Sequence, residues 1–356
     1  MIGYYVHHQG RGHASRAAAI AAQLDDEVTG LSSLPRPRDW PGDWVQLARD
    51  DEGPTPLDPT AGGHLHWAPL GDDGLRERMA AIAAWIDRAD PSALVVDISV
   101  EVVALVRLLG VPVITFALPG VRDDPAHHLG YDLATTVLAA WPTGIPPLAQ
   151  GLTPATLAKL VPVGAISRFA PVPAGTDADF TGAGTGDGRV LVLNGAGGGG
   201  FDARALDRAR TSSPGWTWEV LGGADGRWSD DPWPSIRSAD VVITHAGQNA
   251  IAEVAAARRP AIVLPQPRPH DEQSATATAL AAAGYPVIAL DHLPDDTDMT
   301  RVDWSPLLDR ARSLPTTRWS HWNDGHGAER AARAIERVAR HRAQATSATG
   351  PGEESG

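Results

Sequence analysis

The feature that most constrains this chain is a rhythm. Short apolar runs alternate with stretches of helical periodicity along almost its whole length, the pattern of βα units wound around parallel sheets. In the first half the runs predict strands over 2–7, 64–67, 93–98 and 112–117, with helices over 14–24, 75–87 and 100–109. The second half restarts the pattern, with strands over 189–193, 217–221, 240–244 and 261–264 and helices over 203–210, 249–257 and 273–283. Single cores stop growing near roughly 250–300 residues, so a 356-residue chain should divide. The expected division is a first α/β domain over 1–160, a linker over 161–188 rich in Gly, Pro, Ala and Asp, and a second α/β domain over 189–325. A helix over 326–343 follows, whose apolar stripe of Ala328, Ala331, Ala332, Ile335 and Val338 needs a cover. The tail over 344–356 is too poor in apolar residues to repay ordering and is expected to be disordered.

Composition removes several classes. There is no cysteine, hence no disulfide framework, thiolate nucleophile or cysteine metal site. With 43 Asp and Glu against 30 Lys and Arg the formal charge is −13, which repels phosphate backbones and argues against nucleic acid as a partner. The most apolar stretch, 93–120, is broken by Asp97, Glu101, Arg107 and Pro112, so no transmembrane span is expected. No basic region precedes the opening apolar residues, and the expectation is a cytoplasmic protein without a signal peptide. A Gly-x-Ser-x-Gly hydrolase elbow is missing. The histidine pairs His7 and His8, His64 and His66, and His127 and His128 have no third ligand at sensible spacing, so neither a metal nor a cofactor is expected.

Four segments fall at strand-to-helix junctions, the ligand end of a parallel sheet. The first contains His8, Gly10, Gly12, His13 and Arg16; its glycines allow close backbone approach, and a neutral imidazole at the helix start can accept a proton. The second contains Asn194, Gly195, Gly197, Gly198 and Gly200, a run that leaves main-chain N–H groups unobstructed before a helix. It also satisfies Gly-x-Gly-x-x-Gly, which keeps a dinucleotide domain, and thus a dehydrogenase, as a distant rival. In the third, His245, Gly247, Gln248 and Asn249 lie where a buried strand ends and a helix begins, so free N–H groups and the positive dipole end can neutralise a diphosphate. Glu253 stands in the second turn of that helix, within reach of a ribose. The fourth places Gln266, Asp271, Glu272 and Gln273 after the next strand; Asp271 suits an N-cap as well as a ligand contact.

The third and fourth segments, over 238–283, resemble the C-terminal donor domain of nucleotide-sugar glycosyltransferases of the GT-B fold, family 28 C-terminal type. The resemblance rests on His245-x-Gly247 with Glu253 six residues on, followed by Asp271-Glu272-Gln273; Gly10-x-Gly12-His13-x-x-Arg16 is similar to the N-terminal loop of the same superfamily. It implies an α/β protein of two Rossmann-like parallel-sheet domains facing across a cleft, with the C-terminal helix crossing back. Glu253 would hold the donor ribose, residues 245–249 the diphosphate, Asp271 and Gln273 the sugar hydroxyls, with Gln266 and Glu272 beside them, and the loop after Gly222 the base. The implied reaction transfers a hexose or N-acetylhexosamine from a nucleotide diphosphate sugar, a UDP-sugar by expectation, to a hydroxyl of a small-molecule or lipid-linked acceptor. It would be inverting and metal-independent, with peripheral membrane contact allowed. His13 is the candidate base, Asp97 its orienting partner or replacement, and His8 the substitute. Rival readings are an epimerase of the same fold and a binding protein that senses a sugar nucleotide without transfer. The segment around Trp40 and Trp44 suits stacking on a sugar or aglycone, a lipid contact, or the pinning of a loop.

Overall fold

A computed structural model describes residues 1–9, 11–53, 55–173, 188–195, 200–223, 226–290 and 304–348. Gly10, Gly197, Gly198, half of the expected linker (174–187) and the last eight residues of the expected tail lie outside the described residues.

The first half contains β1 (Ile2–Tyr5), α1 (Arg11–Ala21), β2 (Val28–Ser32), β3 (Asp43–Gln46), α2 (Asp73–Ala89), β4 (Ala93–Val96), α3 (Val100–Leu108), β5 (Val113–Ala117), β6 (Gly120–Val121), α4 (Pro125–Leu133), β7 (Thr136–Ala139), β8 (Ala149–Gln150), α5 (Pro154–Ala158) and β9 (Leu160–Pro162). Seven of these strands form one sheet in the order β3-β2-β1-β4-β5-β7-β9, and all its pairings are parallel. The central strands β1, β4 and β5 are buried throughout, which is why they read as unbroken apolar runs.

The second half contains β10 (Gly188–Leu193), α6 (Ala203–Thr211), β11 (Trp216–Leu221), α7 (Trp233–Ser238), β12 (Val241–Thr244), α8 (Gln248–Ala256), β13 (Ala261–Val263), a 3-10 turn (Pro269–Asp271), α9 (Glu272–Ala282), β14 (Val287–Ala289), α10 (Trp304–Arg312), α11 (Trp319–Trp322) and α12 (Gly327–Ala348). Its five strands follow the order β11-β10-β12-β13-β14, again parallel.

The strand order fixes where a ligand can bind. In a doubly wound sheet the crevice opens where successive connections leave in opposite directions, beyond the carboxyl ends of the strands. That point lies between β1 and β4 in one sheet and between β10 and β12 in the other. The loop after β1 leads to His13 in α1, and the loops after the other three strands carry Asp97, Gly195 and Gly247.

The C-terminal helix α12 leaves the second half and packs on the first. Its Ala331, Ala332, Ile335 and Val338 are buried with Ile2, Tyr4, Ala17 and Ile20. Arg330 donates through Nε to the Val163 carbonyl at 2.7 Å, and the Asp25 amide donates to Glu336 at 2.9 Å. The stripe that needed a cover finds it on the other domain.

Two expectations need correction. Residues 64–67 form no strand: they follow Gly62 and Gly63 in left-handed conformations, and one carboxylate oxygen of Glu101 holds the amides of His66 and Trp67. The edge strand is β3, half exposed and short of apolar residues, so its sequence carries no strand rhythm. Periodicity also passed over β7, β9 and β14, of three or four residues each, too short for alternation to register. Pairing of β9 with β7 carries the first sheet past residue 160, to Pro162.

Candidate functional site

The two halves enclose a cleft of about 1540 Å³ lined from both sheets. Ligand pockets usually hold about 300–1,000 Å³, so this one has room for more than a single ligand.

Its first wall works through side chains. His13 sits in the first turn of α1, and its Nδ1 meets the carboxylate of Asp97, which follows β4. Arg16, one helical turn beyond His13 and on the same face, pairs with the other oxygen of Asp97 and donates to Gln248 of the second half at 3.0 Å. The Arg16 guanidinium also lies over the Phe116 ring, 4.5 Å from its centroid. Asp97 is fully buried. Burial pushes its carboxyl up, yet the Arg16 and His13 charges more than reverse this and hold it well below the usual carboxylate range. Capping of α3 falls to Ser99, whose hydroxyl accepts from the Val102 amide, so Asp97 is left to His13 and Arg16. Nδ1 also lies 3.3 Å from Arg16 Nη2, but the Asp97 oxygen is much closer, which places the ring proton on Nδ1 and leaves Nε2 as an acceptor.

His7 and His8, in the loop after β1, stack ring on ring with centroids 4.9 Å apart but meet different surroundings. His7 lines the cleft, where burial, helped by His13 and His8, drives its imidazole pKa down to about 3. His8 is buried away from the cleft lining: its Nδ1 lies 3.3 Å from Arg78, and its Nε2 3.5 Å from Asp50 and 3.4 Å from Asp51. Arg78 also bonds the Ala48 carbonyl, the Tyr5 hydroxyl and Ser33. His8 therefore belongs to a packed polar network and is not placed to substitute as a base.

The second wall works through main chain. Gly247 caps the nine-residue α8 without a side-chain cap bond, and a Cβ built on it would meet nothing within 4 Å. Ala246, Gly247, Gln248 and Asn249 line the cleft, so the uncapped first turn opens into it. The side chains of Gln248 and Asn249 are turned onto the first half: Gln248 accepts from Arg16, and Asn249 donates to the Gly12 carbonyl at 3.0 Å. A Cβ on Gly12 would lie 2.8 Å from Asn249 Nδ2, so any larger residue there would displace this amide from its bond to the Gly12 carbonyl. Gly195 also lines the cleft with open space around it. Asn194 staples this loop, donating to the Gly222 carbonyl and accepting from the Phe201 amide.

His245 stacks on Phe201, with centroids 4.0 Å apart, and its Nδ1 donates to the Leu264 carbonyl at 2.8 Å. Burial lowers its pKa, which leaves a neutral ring with Nε2 as a buried acceptor at the cleft. Glu253 lines the cleft and accepts at Oε1 from Arg168 Nε at 2.9 Å, while Arg168 also donates to the Asp230 carbonyl. Burial raises the Glu253 pKa against the pull of Arg168.

The acid, acid, amide triplet divides. Gln273 is buried and accepts from the Gln266 amide at 2.8 Å. Gln266, Glu272 and Gln273 line the cleft, whereas Asp271 is exposed, lies outside the lining and makes no cap bond. Placing it among the sugar contacts is corrected by its backbone: His270 and Asp271 both take left-handed conformations, at φ 61° and 54°, which turns the chain sharply between them. Such residues cost of order 1–3 kcal/mol each and persist where surrounding contacts hold them.

The tryptophans of the first half pin a loop. Trp40 is buried, donates to the Asp43 carbonyl and packs edge-on against Trp44 and Tyr4. Neither indole lines the cleft.

The expectation of no metal-ligand cluster also needs correction. Chain folding brings His66, Asp124, His127 and His270 together, with one ligand atom from each within 4.8 Å of all the others. Spacing along the chain could not reveal this, because the four residues come from three loops of two domains.

Arg122 carried no signal in the sequence; Arg16 did, three residues after His13. Arg122 is buried, bonds the Pro119 carbonyl and reaches Glu272 of the second half at 3.5 Å.

Residues 228–293 match the glycosyltransferase family 28 C-terminal domain. Over 78 residues the chain is 37% identical to the UDP-N-acetylglucosamine–N-acetylmuramyl-(pentapeptide) pyrophosphoryl-undecaprenol N-acetylglucosamine transferase of Synechococcus sp. (strain RCC307); the match spans 22% of this chain and 22% of that relative. Among solved structures, a glycotransferase of kitacinnamycin superposes with a TM-score of 0.66 at 16% identity, covering 95% of this chain and 98% of the other. MurG of Acinetobacter baumannii superposes at 0.60 and 17% identity, covering 94% and 99%. The fold is GT-B, and residues 228–293 of its second half are similar to the family 28 C-terminal domain.

Proposed function

We propose that this chain is an enzyme that transfers a glycosyl group from a nucleotide diphosphate sugar, a UDP-sugar in our reading, to the hydroxyl of a small-molecule or lipid-linked acceptor. One observation carries the reading: a His13–Asp97 pair on one cleft wall faces the uncapped start of α8 on the other. His13 Nε2 takes the acceptor proton as the hydroxyl oxygen attacks the anomeric carbon, and Asp97 stabilises the imidazolium that results. The bond from that carbon to the diphosphate oxygen breaks, its electron pair leaving with the nucleotide. Main-chain N–H groups at Gly247–Asn249 and Gly195 absorb the developing charge, so the diphosphate itself needs no metal. Attack from the wall opposite the leaving group inverts the anomeric centre.

Glu253 meets the ribose hydroxyls through Oε2, with Oε1 kept by Arg168. The base lies under the loop after Gly222, beside the cleft-lining Trp228. Glu272, Gln273 and His245 Nε2 meet sugar hydroxyls. The relative of known name is a UDP-N-acetylglucosamine transferase, which supports UDP as the nucleotide. Among the described residues no helix is long and apolar enough to cross a membrane. A cytoplasmic enzyme that meets any lipid-linked acceptor at the surface fits this. The test is turnover of UDP-sugars against an acceptor panel with His13→Ala in parallel: lost turnover with retained UDP binding supports the base, and undiminished turnover removes it.

A further inference from the structure

We propose that His66, Asp124 and His270 form a divalent-cation site that ties the two domains together at one end of the cleft. This proposal stands apart from the glycosyl-transfer reading, because it rests on a different cluster.

His66 precedes α2, Asp124 is the N-cap of α4, and His270 lies in the 3-10 turn before α9. His66 Nε2 is 3.4 Å from Asp124 Oδ1, and His270 Nδ1 is 3.8 Å from Asp124 Oδ2. Ligand atoms about 2.0–2.2 Å from one tetrahedral ion stand roughly 3.3–3.6 Å apart, so small side-chain adjustments complete the set. Two imidazoles and one carboxylate suit zinc, cobalt or nickel better than magnesium or calcium, which favour all-oxygen shells. Three protein ligands leave further positions for water on the cleft side.

His127 orients the carboxylate and is not itself a ligand. Its Nε2 lies 3.1 Å from Arg122 Nη1, and a guanidinium can only donate, so this nitrogen accepts. The ring proton therefore sits on Nδ1 and is donated to Asp124 Oδ2 at 2.5 Å. The Asp124 carboxylate also accepts from the His127 amide at 3.0 Å. Outer partners of this kind fix the direction of ligating groups in metal sites. The Arg122 charge is matched by Glu272, which limits its repulsion of a cation.

The backbone is set to hold this geometry. His270 takes a left-handed conformation, and a Cβ on Gly120 would fall 2.0 Å from the His270 carbonyl oxygen, so β6 and the 3-10 turn pack main chain to main chain. The second His and Asp cluster, at His8, Asp50 and Asp51, has its anions committed to Arg78 and Arg49.

The test is titration of the tag-free, metal-stripped full chain with Zn²⁺ by calorimetry and with Co²⁺ by visible absorption. We expect about one equivalent bound and a higher melting temperature with Zn²⁺. Affinity should fall by about 100-fold or more in His66→Ala/His270→Ala and by about 10–100-fold in His127→Ala. His128→Ala, whose ring faces the Gly151 carbonyl, should bind as the wild type does. The melting temperatures of the metal-free variants establish that they are folded, and His270→Ala alone repeats the test with a single loop change. The proposal is overturned by wild-type protein that takes up no Zn²⁺, or by equal affinity in the wild type and the double variant.

Discussion

The two walls of the cleft solve different electrostatic problems with different parts of the chain. On the first, a buried carboxylate is held ionised between Arg16 and His13, and what lines the cleft there is side chain. On the second, Gly247 and Gly195 carry no side chain at all, and what faces the cleft is the peptide group. Side chains can supply a titrating base at the pH of the cell. Main-chain amides cannot titrate, but they neutralise charge without having to reorganise. The contrast predicts that substitutions on the first wall change turnover and those on the second change affinity for the diphosphate.

The sharpest way to break this contrast is His13→Ala. It should lower kcat by about 10²–10⁴-fold with UDP affinity unchanged, read by steady-state turnover beside calorimetry. His8→Ala, in the packed network of Arg78, Asp50 and Asp51, should lower the melting temperature and leave kcat near the wild-type value. Equal loss of turnover in both would mean that lining the cleft does not separate base from scaffold.

Glu253→Ala should raise the Kd for UDP by about 10–100-fold, since a hydrogen bond to a charged group contributes about 1.5–3 kcal/mol. It should leave inorganic diphosphate binding unmoved.

A finer probe of the second wall removes one amide donor. Gln248 is the first residue of α8, where proline is tolerated, and Gly247 before it already holds the extended conformation proline requires, at φ −68° and ψ 138°. Gln248→Pro, compared with Gln248→Ala to subtract the lost Arg16 contact, should weaken UDP by about tenfold and uridine hardly at all. Equal affinities for UDP in the two variants would show that the amide of residue 248 does not carry charge.

The smallest effect concerns acid stability. Asp97 titrates below its unfolded value of about 3.9, so the unfolded chain binds more protons in that window and stability falls as pH drops from about 4. Asp97→Asn should be less stable at neutral pH and should lose less on acidification, seen as a shallower fall of melting temperature with pH. Parallel curves for the two proteins would show that the Asp97 charge is not what the fold protects.

The sequence alone shows the βα rhythm, because a strand buried on both faces must be apolar throughout and a helix must carry a stripe. It shows the second and third segments for a related reason: glycine just before a helix start, at fixed spacing after a strand, is a local pattern. The stripe on α12 is equally local, though which surface covers it is not. Short strands such as β7 escape, since their burial comes from neighbours and not from their own alternation. Asp97 could be read as a helix cap or as a partner of His13; only the position of Ser99 decides between them.

Local periodicity and turn chemistry thus determined the architecture and the glycine turns ahead of the helix starts, since each rests on residues a few positions apart. The tertiary structure decided which histidine faces the cleft, which carboxylate it meets, that Asp271 turns outward, and that His66, Asp124 and His270 converge. Those are juxtapositions across sheet neighbours and across two domains, and no spacing along one chain encodes a distance of that kind.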